Sequence, residues 1–167
     1  MKCLKGTQCL KLSADCMSIT KWCVNASCAV HLDVKSHTGG FVRLGCRCIC
    51  NVSRKQKLST KSSTELELAG VDDVMPQVLW MRHFLHAQGC SGNDTIACQD
   101  NTSTILLEKN GKLSSSKQTQ HIDIQCHFVT DRISEDKMWV EHCPTNDMTG
   151  DFFTKPLQGF KFCNLEI

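Results

Sequence analysis

The chain has 167 residues, enough for one domain with a real core, and its 41% hydrophobic and 22% charged residues are ordinary for a globular protein. A formal charge of +2 is too small to argue for nucleic acid by itself, so any basic patch must be local. No run approaches 18 uncharged apolar residues and the start has no apolar core of signal-peptide length, which excludes a membrane span and points to an intracellular protein.

Residues 1–20 are weakly patterned. Trp22 to Val30 is rich in strand-forming types, His37-Thr-Gly-Gly40 reads as a turn, and Phe41 to Leu44 and Arg47 to Val52 read as two further strands. Cys46, Cys48 and Cys50 alternate along the last of these and are expected on one face. Ser62 to Thr64 supply N-cap types, with Glu65 and Glu67 as acids near the start of a helix. Its apolar residues recur at helical spacing to about Gln88; Pro76 predicts a split or kink, and Gly89 a stop.

Thr95 to Gln99 is a short apolar run, read as a buried strand ending in Asp100. Asn101 to Glu108 reads as a helix, and Ser114 to Ser116 as a polar linker. Gln118 to Thr130 reads as another helix, with Ile122, Ile124 or Cys126, and Val129 facing inward. Met138 to His142 is a last strand, and Asp147 to about Phe153 a short final helix. Three strands, then helix, strand, helix, helix, strand and helix predict an α/β protein with a mixed five-stranded sheet flanked by helices. Ligand-bearing acids are expected at the ends of adjacent strands.

Thirteen cysteines allow a disulfide or zinc protein. No Cys-x-x-Cys pair occurs, the count is odd and no secretory signal accompanies it, so free and mostly buried thiols are expected. A cysteine-rich zinc protein is kept as a distant alternative. His121 and His127 share a helix and read as surface or packing residues.

Several short pieces together resemble a known family. They are Leu4-Lys-Gly-Thr7, Asn25-Ala-Ser27, Ala29-Val-His31 with Lys35-Ser-His-Thr-Gly-Gly40, and Lys55-Gln-Lys57. They continue with Ser62-Ser-Thr-Glu65 and Glu67, Gln99-Asp-Asn101, Ser116-Lys117 with His121-Ile-Asp-Ile124, and Asp151-Phe-Phe-Thr-Lys-Pro-Leu-Gln-Gly159. In this order they resemble the ribonuclease H domain at the carboxyl end of copia-type retrotransposon polyproteins, over roughly residues 4–160. On that resemblance, residues 1–20 are a remnant of the preceding reverse transcriptase. Residues 21–160 are the ribonuclease H-like domain, and 161–167 are a truncated tail.

The resemblance implies hydrolysis of the RNA strand of an RNA–DNA hybrid with two Mg2+ (or Mn2+) ions about 3.5–4 Å apart. It places Glu67, Asp100 and Asp151 as metal ligands and Asn25 where active members carry an aspartate. It also places Lys55, Lys57, Lys117 and Lys155 against nucleic acid. The implied partners are the hybrid and the reverse transcriptase part of the parent polyprotein. Three carboxylates and an amide neutralise two dications less well than four carboxylates, so catalysis is expected to be lost or impaired. Gln118 and Gln120 stand where basic residues are common in the family. Gly150 stands where alanine is usual and is expected to loosen Asp151. A non-catalytic nucleic-acid-binding remnant is the alternative.

Overall fold

The computed structural model describes residues 19–45, 47–60, 62–90, 94–110, 120–135 and 138–154. A five-stranded sheet is built from β1 (Ile19–Ser27), β2 (His37–Leu44), β3 (Arg47–Lys55), β4 (Asp94–Gln99) and β5 (Met138–His142), in the order β3-β2-β1-β4-β5. β1, β2 and β3 form an antiparallel meander, and β4 and β5 continue parallel to β1. The parallel additions need crossovers, supplied by α1 (Ser63–Ala87) before β4 and by α2 (Thr102–Asn110) and α3 (Gln120–Glu135) before β5. The expected fold class and element order therefore hold. Residues 1–18 and 155–167, which carry most of the proposed remnant and tail, lie outside the described residues. No described helix is long and apolar enough to cross a membrane.

The alternation of each strand divides the core. Trp22, Val24, Val42, Ala97 and Val140 face the helices and pack on Leu68, Val71, Val74, Met75 and Val78 of α1 and on Cys126 and Val129 of α3. Cys23, Phe41 and Met148 form a smaller cluster on the opposite face, flanked by Cys48, Cys98, Cys143 and Phe153.

Several local expectations are corrected. His37-Thr-Gly-Gly40 is not a turn but the first half of β2. A Cβ on Gly39 would lie 2.5 Å from Thr154 Cγ2 and 2.7 Å from the Phe153 carbonyl carbon, and one on Gly40 would lie 2.9 Å from Val74 Cγ2. Neighbours press on both sides of the sheet at these positions, so the glycines serve close approach rather than chain reversal. Cys48 and Cys50 do not share a face. The β2–β3 register shifts so that Val42 faces Cys50 and Arg43 faces Cys48, and this bulge sends Cys50 to the helix-side core and Cys48 to the other cluster. Pro76 lies inside one continuous helix and does not split it. Ile124 is 67% exposed, and Cys126, with Val129, faces inward instead; the side chain of Ile122 lies outside the described residues. The final helix is two 3-10 turns, Thr145–Asp147 and Thr149–Phe153, too short to settle into α geometry.

Candidate active site

The carboxyl ends of β1 and β4 form the floor of the site. Asn25 is the third residue from the end of β1, and Gly39 of β2 is registered beside it. The β1–β4 register runs to Cys23 beside Cys98, and two residues further on it leads Asn25 to the level of Asp100. Asn25 points to the face of Cys23, which the second 3-10 turn covers. That turn carries Asp151. A Cβ on Gly150 would lie only 3.2 Å from both Asn25 N and Asn25 Cβ, so the turn rests on the β1 backbone. Asp151 is fully buried, and Gly150, without a Cβ, lets its turn approach Asn25.

Asn25 and Asp151 are in direct contact. Asn25 Nδ2 donates to Asp151 Oδ1, and Asn25 Oδ1 accepts from Ala26 N at 2.7 Å. These two partners fix the amide's orientation. Turning it over would set oxygen against a carboxylate and an N–H against an N–H. Asn25 is 4% exposed, so the contact is shielded from water.

Glu67 enters from the helix side. Ser62 caps α1 by accepting from Glu65 N at 3.2 Å, which sets the helix phase so that Glu67 is buried while Glu65 is half-exposed. The first turns lie over the end of β1: a Cβ on Gly70 would meet Val24 Cγ1 at 3.3 Å and Ala26 Cβ at 3.6 Å. Gln56 Nε2 donates to the Leu66 carbonyl and to Thr38 Oγ1, both at 3.0 Å, and Thr38 Oγ1 donates to Asp73 Oδ2 at 2.9 Å. This buried network pins α1 to β2 and β3 beside Glu67. Asp100 follows β4 and is half-exposed, its backbone N–H donating to Gln99 Oε1 at 3.0 Å. Asn101, not Asp100, caps α2, its Oδ1 accepting from Ser103 N and Thr104 N.

The four positions therefore gather at one end of the sheet, with Asn25 and Asp151 in direct contact. Among the described residues, no three His, Cys, Asp or Glu side chains are grouped to hold a metal ion. Asn25 as placed turns its amide N–H to Asp151 Oδ1 and its oxygen to Ala26, and so offers no oxygen to a cation; Glu67, Asp100 and Asp151 are the carboxylates of the set.

No family model matches the chain. It is 27% identical over 172 residues to the "Retrovirus-related Pol polyprotein from transposon TNT 1-94" of Nicotiana tabacum, a match covering 98% of this chain and 12% of that protein. It is 32% identical over 134 residues to the corresponding protein from transposon RE2 of Arabidopsis thaliana, covering 79% of this chain and 9% of that one. The chain thus spans about a tenth of the length of these relatives. Its fold is similar to that of LC11-RNase H1, with a TM-score of 0.62 at 7% identity over 82% of this chain and 93% of that one. The chain belongs with the retrotransposon Pol polyproteins and has the ribonuclease H fold. A foamy viral protease-reverse transcriptase solved with an RNA/DNA hybrid is also similar, with a TM-score of 0.52 at 12% identity over 77% of this chain and 17% of that one.

The basic residues of this retrotransposon-type domain are less uniform than the sequence suggests. Lys55 is paired with Asp33, and Lys35 Nζ donates to the Lys57 carbonyl at 2.8 Å. Lys57 is exposed. Lys117 and Lys155 lie outside the described residues, as does Gln118; the side chain of Gln120 is likewise not described. Sequence reasoning missed two further groups. Cys98 faces Cys23 across β1 and β4; its hydrogen bond with Cys23 lowers the Cys98 thiol to about 7 and raises that of Cys23 far above its usual range. Glu108 is 1% exposed, and burial pushes its carboxyl up to about 8. The parallel cysteine spacing was a readable signal for the first. Nothing in the helical pattern distinguished Glu108 from a solvated acid.

Proposed function

We propose that the chain is a retrotransposon-derived ribonuclease H domain whose two-metal hydrolysis of the RNA strand of an RNA–DNA hybrid is lost or severely impaired, because Asn25 stands at a ligand position. The observation that carries this reading is the Asn25–Asp151 hydrogen bond. An aspartate at position 25 would set two buried carboxylates together, an arrangement stable only with a shared proton or a cation between them. The amide instead supplies an N–H to Asp151, so the pair is satisfied without a metal. In the intact arrangement Glu67, Asp100 and Asp151 would be the oxygen ligands for Mg2+ or Mn2+, a donor chemistry suited to these hard cations.

Hybrid binding without cleavage is the second reading. It is favoured by the retained fold, by exposed Lys57 beside Lys35 and Lys55, and by the hybrid complex known for LC11-RNase H1. Its partner in the parent polyprotein would be the reverse transcriptase part.

The test is cleavage of an RNA–DNA hybrid with Mg2+ or Mn2+ by the chain as it stands and by Asn25→Asp. Little or no cleavage by the former and recovery by the latter is the expected result. Normal cleavage by the unaltered chain refutes the proposal. A folded but inactive Asn25→Asp chain shows that position 25 is not the sole lesion. Hybrid retardation in a gel at low salt supports the binding reading, and its absence removes it.

A further inference from the structure

A hydrogen-bonded chain connects the loop after β1 to the turn that carries Asp151. His31 Nε2 and His37 Nδ1 are 3.0 Å apart, His37 Nε2 and Ser53 Oγ are 2.9 Å apart, and Ser53 Oγ donates to the Phe153 carbonyl at 2.9 Å. The proton positions follow from the last link. A carbonyl oxygen only accepts, so the single Ser53 hydroxyl proton is committed to Phe153. His37 Nε2 must then carry a proton and donate to Ser53. A neutral His37 leaves Nδ1 as an acceptor, and His31 Nε2 must donate to it. Each donor has one acceptor and the direction is fixed throughout.

We infer that His31, His37 and Ser53 are positioning residues: a proton-ordered strap that ties the Phe153 carbonyl, and with it the Asp151 turn, to β2 and β3. Two hydrogen bonds close the loop around His31, from His31 N to the Lys35 carbonyl at 3.3 Å and from Val34 N to the His31 carbonyl at 2.8 Å. Val34 takes a positive φ of 60° to allow this, an unfavourable conformation for a β-branched residue. A cavity of about 350 Å3 lies between the two histidines and Phe152, Phe153 and Thr154.

A second proton on His37, at Nδ1, reverses that link: His31 Nε2 then accepts with its own proton on Nδ1, while His37 Nε2 still donates to Ser53 and Ser53 to the Phe153 carbonyl. Burial first and the neighbouring His31 second lower the affinity of His37 for that proton, while the Phe153 carbonyl raises it. The charged groups around His37 are Lys55, registered beside it on β3 and paired with Asp33, and Lys35, held by the Lys57 carbonyl. Asp151, on the turn itself, is directed at Asn25.

The functional consequence, a turn held where it delivers Asp151, rests on the nuclease reading. The strap itself does not, and its test uses neither metal nor substrate. Amide hydrogen exchange at Asp151 and Thr154 is followed by NMR in the full chain, as protection relative to the unfolded rate, for the unaltered chain, His37→Leu, His37→Gln and Ser53→Ala. Protection of the unaltered chain should persist as pH drops through the His37 transition, because His37 Nε2 still donates to Ser53. His37→Leu and Ser53→Ala should show protection reduced roughly tenfold at every pH, the equivalent of about one hydrogen bond. His37→Gln retains an N–H near the Nε2 position and should restore protection. Unchanged protection in His37→Leu at pH 7.5 would overturn the strap, as would imidazole nitrogen shifts showing His37 protonated at Nδ1 there. Fold integrity is read independently from protection of β1 and β4 amides.

Discussion

Placing a carboxylate at position 25 probes the site without any substrate. In the unaltered chain a buried amide N–H donates to a buried carboxylate, an interaction worth about 1.5–3 kcal/mol. Asn25→Asp removes that donor and sets two negative charges roughly 4 Å apart, a repulsion of about 4 kcal/mol at an effective dielectric of about 20. Retention of one proton by the pair relieves part of this, as in coupled carboxylate dyads. A loss near 5 kcal/mol corresponds to a fall of roughly 10–20 °C in Tm for a chain of this size. Thermal melts should show that fall in EDTA at pH 8. Millimolar Mg2+ should recover a substantial part of it, because a ligand that binds only the folded state stabilises it by mass action. The unaltered chain should melt at the same temperature with and without Mg2+. Equal melting of the two chains in EDTA would refute the assigned contact. Mg2+ stabilisation of the unaltered chain as large as that of Asn25→Asp would refute the claim that the amide excludes the cation.

Other perturbations test separate parts of the structure. Glu108 has a folded-state value of about 8 against 4.5 for the free side chain, so its contribution is fully present below pH 4.5 and is lost as pH rises toward 8. Urea titrations should show stability falling across that window by up to about 1.4 kcal/mol per pH unit, and Glu108→Gln should flatten the slope; an unchanged slope would place the titration elsewhere. Gly150→Ala should lower Tm by roughly 2–4 °C, because the new methyl would crowd the backbone of Asn25 at a cost of about 1 kcal/mol; a rise in Tm would mean that the turn yields freely. Cys98 should alkylate faster than Cys143 at pH 7.5, since the first thiol is lowered to about 7 and burial pushes the second up to about 11; peptide mass spectrometry after brief iodoacetamide treatment reads the order.

What the sequence disclosed depended on the range of the interaction. Elements with a strong local pattern were legible: the α1 phase from Ser62, Glu65 and its apolar spacing, the end of α1 at Gly89 with its φ of 80°, and β5 from the alternation of Met138 to His142. Errors arose where a distant segment decides. Gly39 and Gly40 have the composition of a turn, yet their role is set by Thr154 and Phe153 on one side and Val74 on the other. Cys48 and Cys50 have the period of one face until the bulge between them, which depends on pairing with β2. Pro76 predicts a break that the tightly packed faces of α1 override, since Val74, Met75 and Val78 around it are wholly buried.

The candidate site shows the same division more sharply. The acids and Asn25 could be picked out by their neighbours, but the sequence alone treats positions 25 and 150 as independent. The fold joins them. Gly150 lies against Asn25 N and Cβ, and the residue that follows it receives the Asn25 amide N–H. Without a β-carbon at 150 the turn sits low on β1, and without a charge at 25 the acid it brings in meets a donor instead of a like charge. The two positions thus share one contact, and each bears on the cost of the other. Their energies should not be additive: residues in contact commonly deviate from additivity by about 0.5–3 kcal/mol. Gly150→Ala should therefore be better tolerated in Asn25→Asp, where relaxing the turn outward relieves repulsion, than in the unaltered chain. A double-mutant cycle in EDTA measures this coupling, and strict additivity would show that positions 25 and 150 do not communicate.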